Sequence, residues 1–115
     1  MAWKYFTKDE MKCPCCGESK MDEHFMDILD SLRKGGGQPL KVNSGYRCLK
    51  YDKEINGAGN HAQGRAIDLE CLDSPLRYDI IRVAVELGFR RIGIARTFLH
   101  LDLCTDRPER VVWLY

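Results

Sequence analysis

The stretch Asn60-His61-Ala62-Gln63-Gly64-Arg65-Ala66-Ile67-Asp68-Leu69 joins a glycine-bearing loop to a short run in which polar and apolar residues alternate. Alternation with period two predicts a strand, with Ala66, Asp68 and Glu70 on one face and Ile67 and Leu69 on the other. One face is then core and the other carries chemistry. His61 and Asp68 offer an imidazole and a carboxylate in need of a third ligand. His100 supplies it from a second alternating run, Phe98-Leu99-His100-Leu101-Asp102-Leu103. Histidine and carboxylate donors suit zinc, and catalytic zinc sites keep three protein ligands with one position left to water.

On the second run His100 and Asp102 point to one side and the leucines to the other. If the two runs are neighbouring strands, their polar faces coincide, and His61, Asp68 and His100 surround one point with Asp102 close by. Upstream, the glycines of Gly57-Ala58-Gly59-Asn60 let the backbone turn sharply enough to aim His61 inward. Residues 48 to 56 are compatible with a short helix ending at the turn pair Asn56-Gly57, and Leu40-Lys41-Val42-Asn43-Ser44 reads as a strand leading into Gly45-Tyr46-Arg47-Cys48.

Two longer helices complete the pattern. Met21, Phe25, Ile28, Leu29 and Leu32 recur at helical spacing up to Gly35-Gly36-Gly37, with His24 off the stripe as a solvated side chain. Ser74 as N-cap and Pro75 at the first helical position start another, with Leu76, Ile80, Val83, Ala84 and Leu87 as its buried stripe and Gly88 as its stop. Arg91 to Ala95, Leu99 to Leu103 and Arg110 to Trp113 read as strands. This order predicts an α+β fold, an antiparallel sheet with helices packed on one face and the zinc site on the other, as a single domain over residues 1–115.

The chain has 115 residues, with 18 Lys and Arg against 17 Asp and Glu. A near-neutral, scattered charge gives no footprint for nucleic acid or an acidic membrane. No apolar run approaches a transmembrane helix, and Met-Ala-Trp-Lys-Tyr-Phe lacks the apolar core of a signal peptide, so the chain is expected in the cytoplasm as synthesised. That compartment favours reduced thiols for the six cysteines. Cys13-Pro14-Cys15-Cys16-Gly17 contains the C-x-x-C spacing of a structural zinc knuckle, but no second pair follows. The default reading is a tight turn built by Pro14 and Gly17 around small buried thiols; the alternative is a second, Cys-bound structural ion, or a disulfide reaching Cys48.

Ser44-Gly45-Tyr46-Arg47, Gly57-Ala58 with Asn60-His61, His61-x-x-Gly64-x-Ala66-x-Asp68 and Phe98-Leu99-His100-Leu101-Asp102, in this order, resemble the zinc D-alanyl-D-alanine carboxypeptidase family in its small peptidoglycan-directed branch. That group includes carboxypeptidases and phage or bacterial cell-wall endopeptidases and shares its fold with the hedgehog signalling domain. The resemblance runs from about Phe6 to Trp113. It implies one catalytic zinc held by His61, Asp68 and His100, peptidoglycan stem peptides as substrate, and Arg47 binding substrate and stabilising the developing oxyanion, a task that suits a guanidinium's fixed fork of donors. For a phage lysin it implies release to the cell wall.

Two positions depart from the family's pattern. The acid/base residue that several relatives carry three positions before the last histidine is Thr97 here, and threonine cannot take a proton in that way. Asp102 is the best remaining catalytic candidate, with the orientation of a histidine ligand as its equal alternative and Glu70 third. The serine usual two residues before the first histidine is Gly59, which removes one loop hydrogen bond and leaves the metal ligands intact. The leading expectation is a zinc peptidase of the cell wall, and the alternative a noncatalytic zinc-binding module of the same fold. A redox protein centred on Cys13 to Cys16 lacks the surrounding βαβ pattern.

Overall fold

Helix α1 (Glu23–Gly36) begins where the Asp22 carboxylate accepts the Phe25 amide at 2.9 Å and ends at Gly37, which takes the left-handed conformation at φ 71°. Phe25, Met26, Leu29 and Leu32 are its buried face, His24 is exposed, and Ile28 is half-buried. The structure, a computed structural model, describes residues 3–115; Met1 and Ala2, which open the stretch read for a leader, lie outside the described residues. No helix among the described residues is long and apolar enough to cross a membrane.

The short helix α2 (Leu49–Glu54) follows a cap at Cys48, within the span the sequence allows it. Helix α3 (Ser74–Glu86) is capped one residue earlier than expected. Asp73, not Ser74, accepts the Leu76 amide at 2.9 Å, so Ser74 becomes the first helical residue and Pro75 the second. A charged carboxylate is the stronger acceptor at a helix start, and it displaces the adjacent hydroxyl.

Five strands form one sheet: β1 (Val42–Ser44), β2 (Ala66–Glu70), β3 (Arg91–Ile94), β4 (Phe98–Asp102) and β5 (Val111–Leu114), in the order β1-β2-β4-β3-β5. The first four pair antiparallel, as the α+β reading expects, whereas β5 runs parallel to β3. The departure has a topological cause. Both edges of β4 are occupied, by β2 and β3, so the chain returning from β4 crosses to the outer edge of β3, where its direction matches that strand.

Ile67 and Leu69 of β2, Leu99 and Leu101 of β4 and Ile92 of β3 join Phe25, Met26 and Leu29 of α1 and Ile80, Val83 and Ala84 of α3 in one core. Phe25 meets Phe89 edge to face, ring centroids 6.0 Å apart. The helices therefore cover the face formed by the odd-numbered residues of β2 and β4. Asp68, His100 and Asp102 point to the opposite face.

The loop before β2 is fixed to the start of α1. The Asp22 amide donates to the Gly64 carbonyl at 2.9 Å, and Gly64 holds φ at 72°. A Cβ added there would lie 2.2 Å from the Lys20 carbonyl oxygen. Gly64→Ala should therefore cost about 3 kcal/mol, from left-handed backbone strain and the clash together. The urea unfolding midpoint reads this, and an unchanged midpoint would show that the loop is free to move away from α1.

Candidate metal centre

The register of the sheet places Asp68 of β2 directly opposite His100 of β4. Directly opposed residues project to the same face with their Cβ atoms about 5 Å apart, and the side chains meet: His100 Nδ1 lies 2.8 Å from Asp68 Oδ1. His61 enters from the 3-10 turn His61–Gln63, which ends at Gly64. Its Nε2 lies 3.4 Å from Asp68 Oδ2. One donor atom from each of His61, Asp68 and His100 therefore falls within 4.8 Å of the others, and all three residues are buried.

The other ring nitrogen of each histidine is also held. His61 Nδ1 is 2.7 Å from the Gly45 carbonyl oxygen, which can only accept, so this nitrogen carries a proton and Nε2 is the atom turned toward Asp68. His100 Nε2 is 2.6 Å from Asp102 Oδ2, which in the same way leaves Nδ1 directed at Asp68. One nitrogen of each imidazole and a carboxylate thus converge, each ring fixed by an acceptor behind it. This is the donor set and the outer support that a zinc ion takes from proteins.

Asp102 is 0% exposed, and both of its oxygens face donors. Oδ1 faces Arg91 Nε at 2.8 Å and accepts the Cys104 amide at 3.2 Å. Oδ2 faces His100 Nε2 and accepts from Asn60 Nδ2 at 3.2 Å. It stands on the side of the His100 ring away from Asp68. Thr97 is exposed and absent from the cleft lining, and the Glu70 carboxylate lies 3.8 Å from Lys41.

Arg47 crosses the centre from the other side. Its Nε donates to Ser44 Oγ at 3.0 Å, one terminal nitrogen faces Asp52 Oδ1 at 3.5 Å, and the other lies 3.2 Å from Asp68 Oδ2. Asp52, buried on α2, also accepts the Gly59 amide at 2.9 Å, so one carboxylate ties Arg47 to the glycine loop that carries His61. Burial opposes charge on both aspartates of the sheet, but hydrogen bonds from the histidines overcome it. Asp68 is held far below the usual carboxylate range by His100 and His61, and Asp102 is lowered mainly by His100. Burial also opposes charge on His100, yet the carboxylates of Asp102 and Asp68 raise its pKa.

Arg47, His61, Asp68 and His100 line a cleft of about 450 Å³, together with Arg91, Phe98, Arg107, Trp113 and Tyr115. Trp113 reaches His100 across an intervening strand. Gly93 of β3 pairs with His100 on one side and Trp113 on the other, and a Cβ on Gly93 would come within 2.7 Å of the indole. The glycine leaves room for the ring, whose centroid sits 5.5 Å from that of His100. The structure thus brings together His61, Asp68, His100, Arg47 and Asp102.

Sequence reasoning did not single out Asp52, Arg91 or Trp113 as parts of the site. Gly93, inside a strand pattern, was the available signal for Trp113, because a strand glycine often marks close approach by another group.

The family model described as Peptidase M15 matches residues 4–102, a span that holds all five of these residues and stops before β5. No curated protein matches the chain. His61→Ala should remove one equivalent of zinc relative to the wild type, read by metal analysis of the purified protein. Asp102→Asn should keep the fold and weaken zinc binding at this centre about 10- to 100-fold; equal affinities in a competition titration would show that the carboxylate does not orient His100.

Proposed function

Because the chain belongs to the peptidase M15 family, we propose that it is a zinc-dependent peptidase acting on the stem peptides of bacterial cell-wall peptidoglycan, either removing a terminal D-amino acid or cutting a cross-bridge. The observation that carries this reading is the convergence of His61 Nε2, Asp68 and His100 Nδ1 at the floor of an open cleft, each imidazole braced from behind. The chemistry supplied by a zinc ion held there is Lewis acidity, which polarises a scissile carbonyl and brings the pKa of a water to about 7.

The residues around that position divide the remaining work. Arg47, fixed by Ser44 and Asp52, presents a guanidinium at the edge of the three-ligand cluster. From there it can bind a substrate carboxylate or the oxygen on which negative charge develops. Arg91 and Arg107 line the same cleft, and the Arg107 guanidinium donates to the Ala58 carbonyl. Phe98, Trp113 and Tyr115 form an apolar wall against which a peptide side chain can pack, with the Phe98 and Tyr115 rings tilted against each other at 5.1 Å between centroids. We assign Asp102 to positioning and not to proton transfer, because it meets His100 on the nitrogen opposite the cluster and has no exposed surface.

One observation favours a second reading, a noncatalytic zinc-binding module of the same fold. Among the described residues lining the cleft, Asp68 is the sole carboxylate, and a peptidase needs a proton acceptor within reach of the attacking water.

Digestion of defined muropeptides with mass detection, with and without a chelator, separates the two. Chelator-sensitive release of D-alanine or of a cut cross-bridge is the expected outcome, and the products name the bond. Intact muropeptides after incubation with fully zinc-loaded protein would establish the module instead. Arg47→Lys should retain zinc and lower kcat/KM on the order of 10²-fold, the scale for losing one well-placed oxyanion donor.

A further inference from the structure

Three cysteines from two distant segments meet beside the segment that carries Arg47. Cys13 and Cys16 flank a tight turn in which the Gly17 amide donates to the Cys13 carbonyl at 2.8 Å, with Gly17 at φ 75°. Cys48 approaches from the segment between β1 and α2, and one sulfur from each of Cys13, Cys16 and Cys48 lies within 4.8 Å of the other two. Cys15, on the same turn, is exposed and is not part of this triangle. The reading of the motif as a turn around buried thiols holds for Cys13 alone, since Cys16 is exposed and Cys48 only half-buried.

We propose that Cys13, Cys16 and Cys48 hold a second zinc ion, structural in role, that fastens the N-terminal turn to the segment carrying Arg47. Two features of the geometry and one of the sequence support it. The Cys13 and Cys48 sulfurs are 3.7 Å apart. That separation is far from the roughly 2.05 Å of a disulfide, and it matches the edge of about 3.8 Å that a tetrahedral site with Zn–S bonds of roughly 2.3 Å requires.

The sulfurs also have backbone donors of the kind that stabilise thiolates. The Cys48 amide points at Cys13 Sγ at 3.4 Å and the Tyr51 amide at Cys48 Sγ at 3.5 Å. Third, the sequence Cys13-Pro14-Cys15-Cys16-Gly17 gives one half of a knuckle. The missing partner is a lone cysteine 32 residues beyond Cys16, brought to the turn by the Tyr46 amide, which donates to the Met11 carbonyl at 2.8 Å.

The consequence for the neighbouring centre follows from connectivity. Gly45, whose carbonyl orients His61, Arg47, which reaches Asp68, and Cys48 lie within four consecutive residues. An ion on Cys48 pins one end of that segment. The inference does not rest on the peptidase reading, because a noncatalytic module would carry the same sulfur site.

Metal analysis of protein purified under reducing conditions tests it. Two zinc ions per chain are expected, one lost in Cys13→Ser or Cys48→Ser and the other in His61→Ala. If the cysteine variants fail to fold, His61→Ala reconstituted with cobalt(II) gives an independent reading, since its remaining ion should show thiolate-to-cobalt charge-transfer absorption in the near ultraviolet. One zinc per wild-type chain together with no such absorption, or a Cys13–Cys48 disulfide found by mass spectrometry of the reduced preparation, would overturn the proposal.

Discussion

The pairing of Asp68 with His100 across β2 and β4 is the contact from which the rest of the site is built. Both residues sit in strands whose alternate positions, Ile67, Leu69, Leu99 and Leu101, are fully buried against α1 and α3. A slip of one residue in either strand would turn those four apolar side chains away from the core and carry the polar pair into it. The hydrophobic face therefore sets the register, and the register sets the 2.8 Å approach of His100 Nδ1 to Asp68 Oδ1. Chemistry on one face is positioned by packing on the other.

The strands supply two of the three converging side chains, and the third needs a loop held as firmly as a strand. His61 is braced on several sides: its ring by the Gly45 carbonyl, its turn by Gly64 in the left-handed region, and the preceding loop by the Gly59 amide on buried Asp52. Because Asp52 also faces Arg47, a shift in the glycine loop would be felt at the guanidinium and at the imidazole together. This mutual dependence gives α2 its part in the site, although it is too short to be stable as an isolated helix.

Much of this was legible in the sequence, and the limits of legibility are physical. Period-two alternation around Asp68 and His100 identified the strands and the shared polar face, and the glycine-flanked His61 identified the loop, because these signals are local. The ligation of His61 by a backbone carbonyl left no trace in residue type, since any residue at position 45 offers the same oxygen. Nothing local marks Asp52 or Arg91; only the tertiary arrangement sets one behind Arg47 and the other behind Asp102. The parallel placement of β5 was invisible for a related reason. It depends on which sheet edge is free when the chain returns, a property of topology and not of Val111 to Leu114 themselves.

The charge balance of the buried face bears on what the centre is for. Asp52, Asp68 and Asp102 are buried carboxylates, and Arg47 and Arg91 are the guanidiniums paired with them. Three against two leaves one negative charge in a region where an uncompensated charge is costly. The raised pKa of His100 points to one way to offset it, a proton on the imidazole, whose two nitrogens face Asp68 and Asp102. A divalent cation at the same point is the other, and the two compete, because a metal on Nδ1 requires that nitrogen to be unprotonated. Cation uptake must then release a proton and weaken as pH falls. A sheet face whose sole purpose was stability would be better served by apolar side chains of similar volume. A surplus carboxylate between two braced imidazoles is instead an arrangement suited to a metal ion.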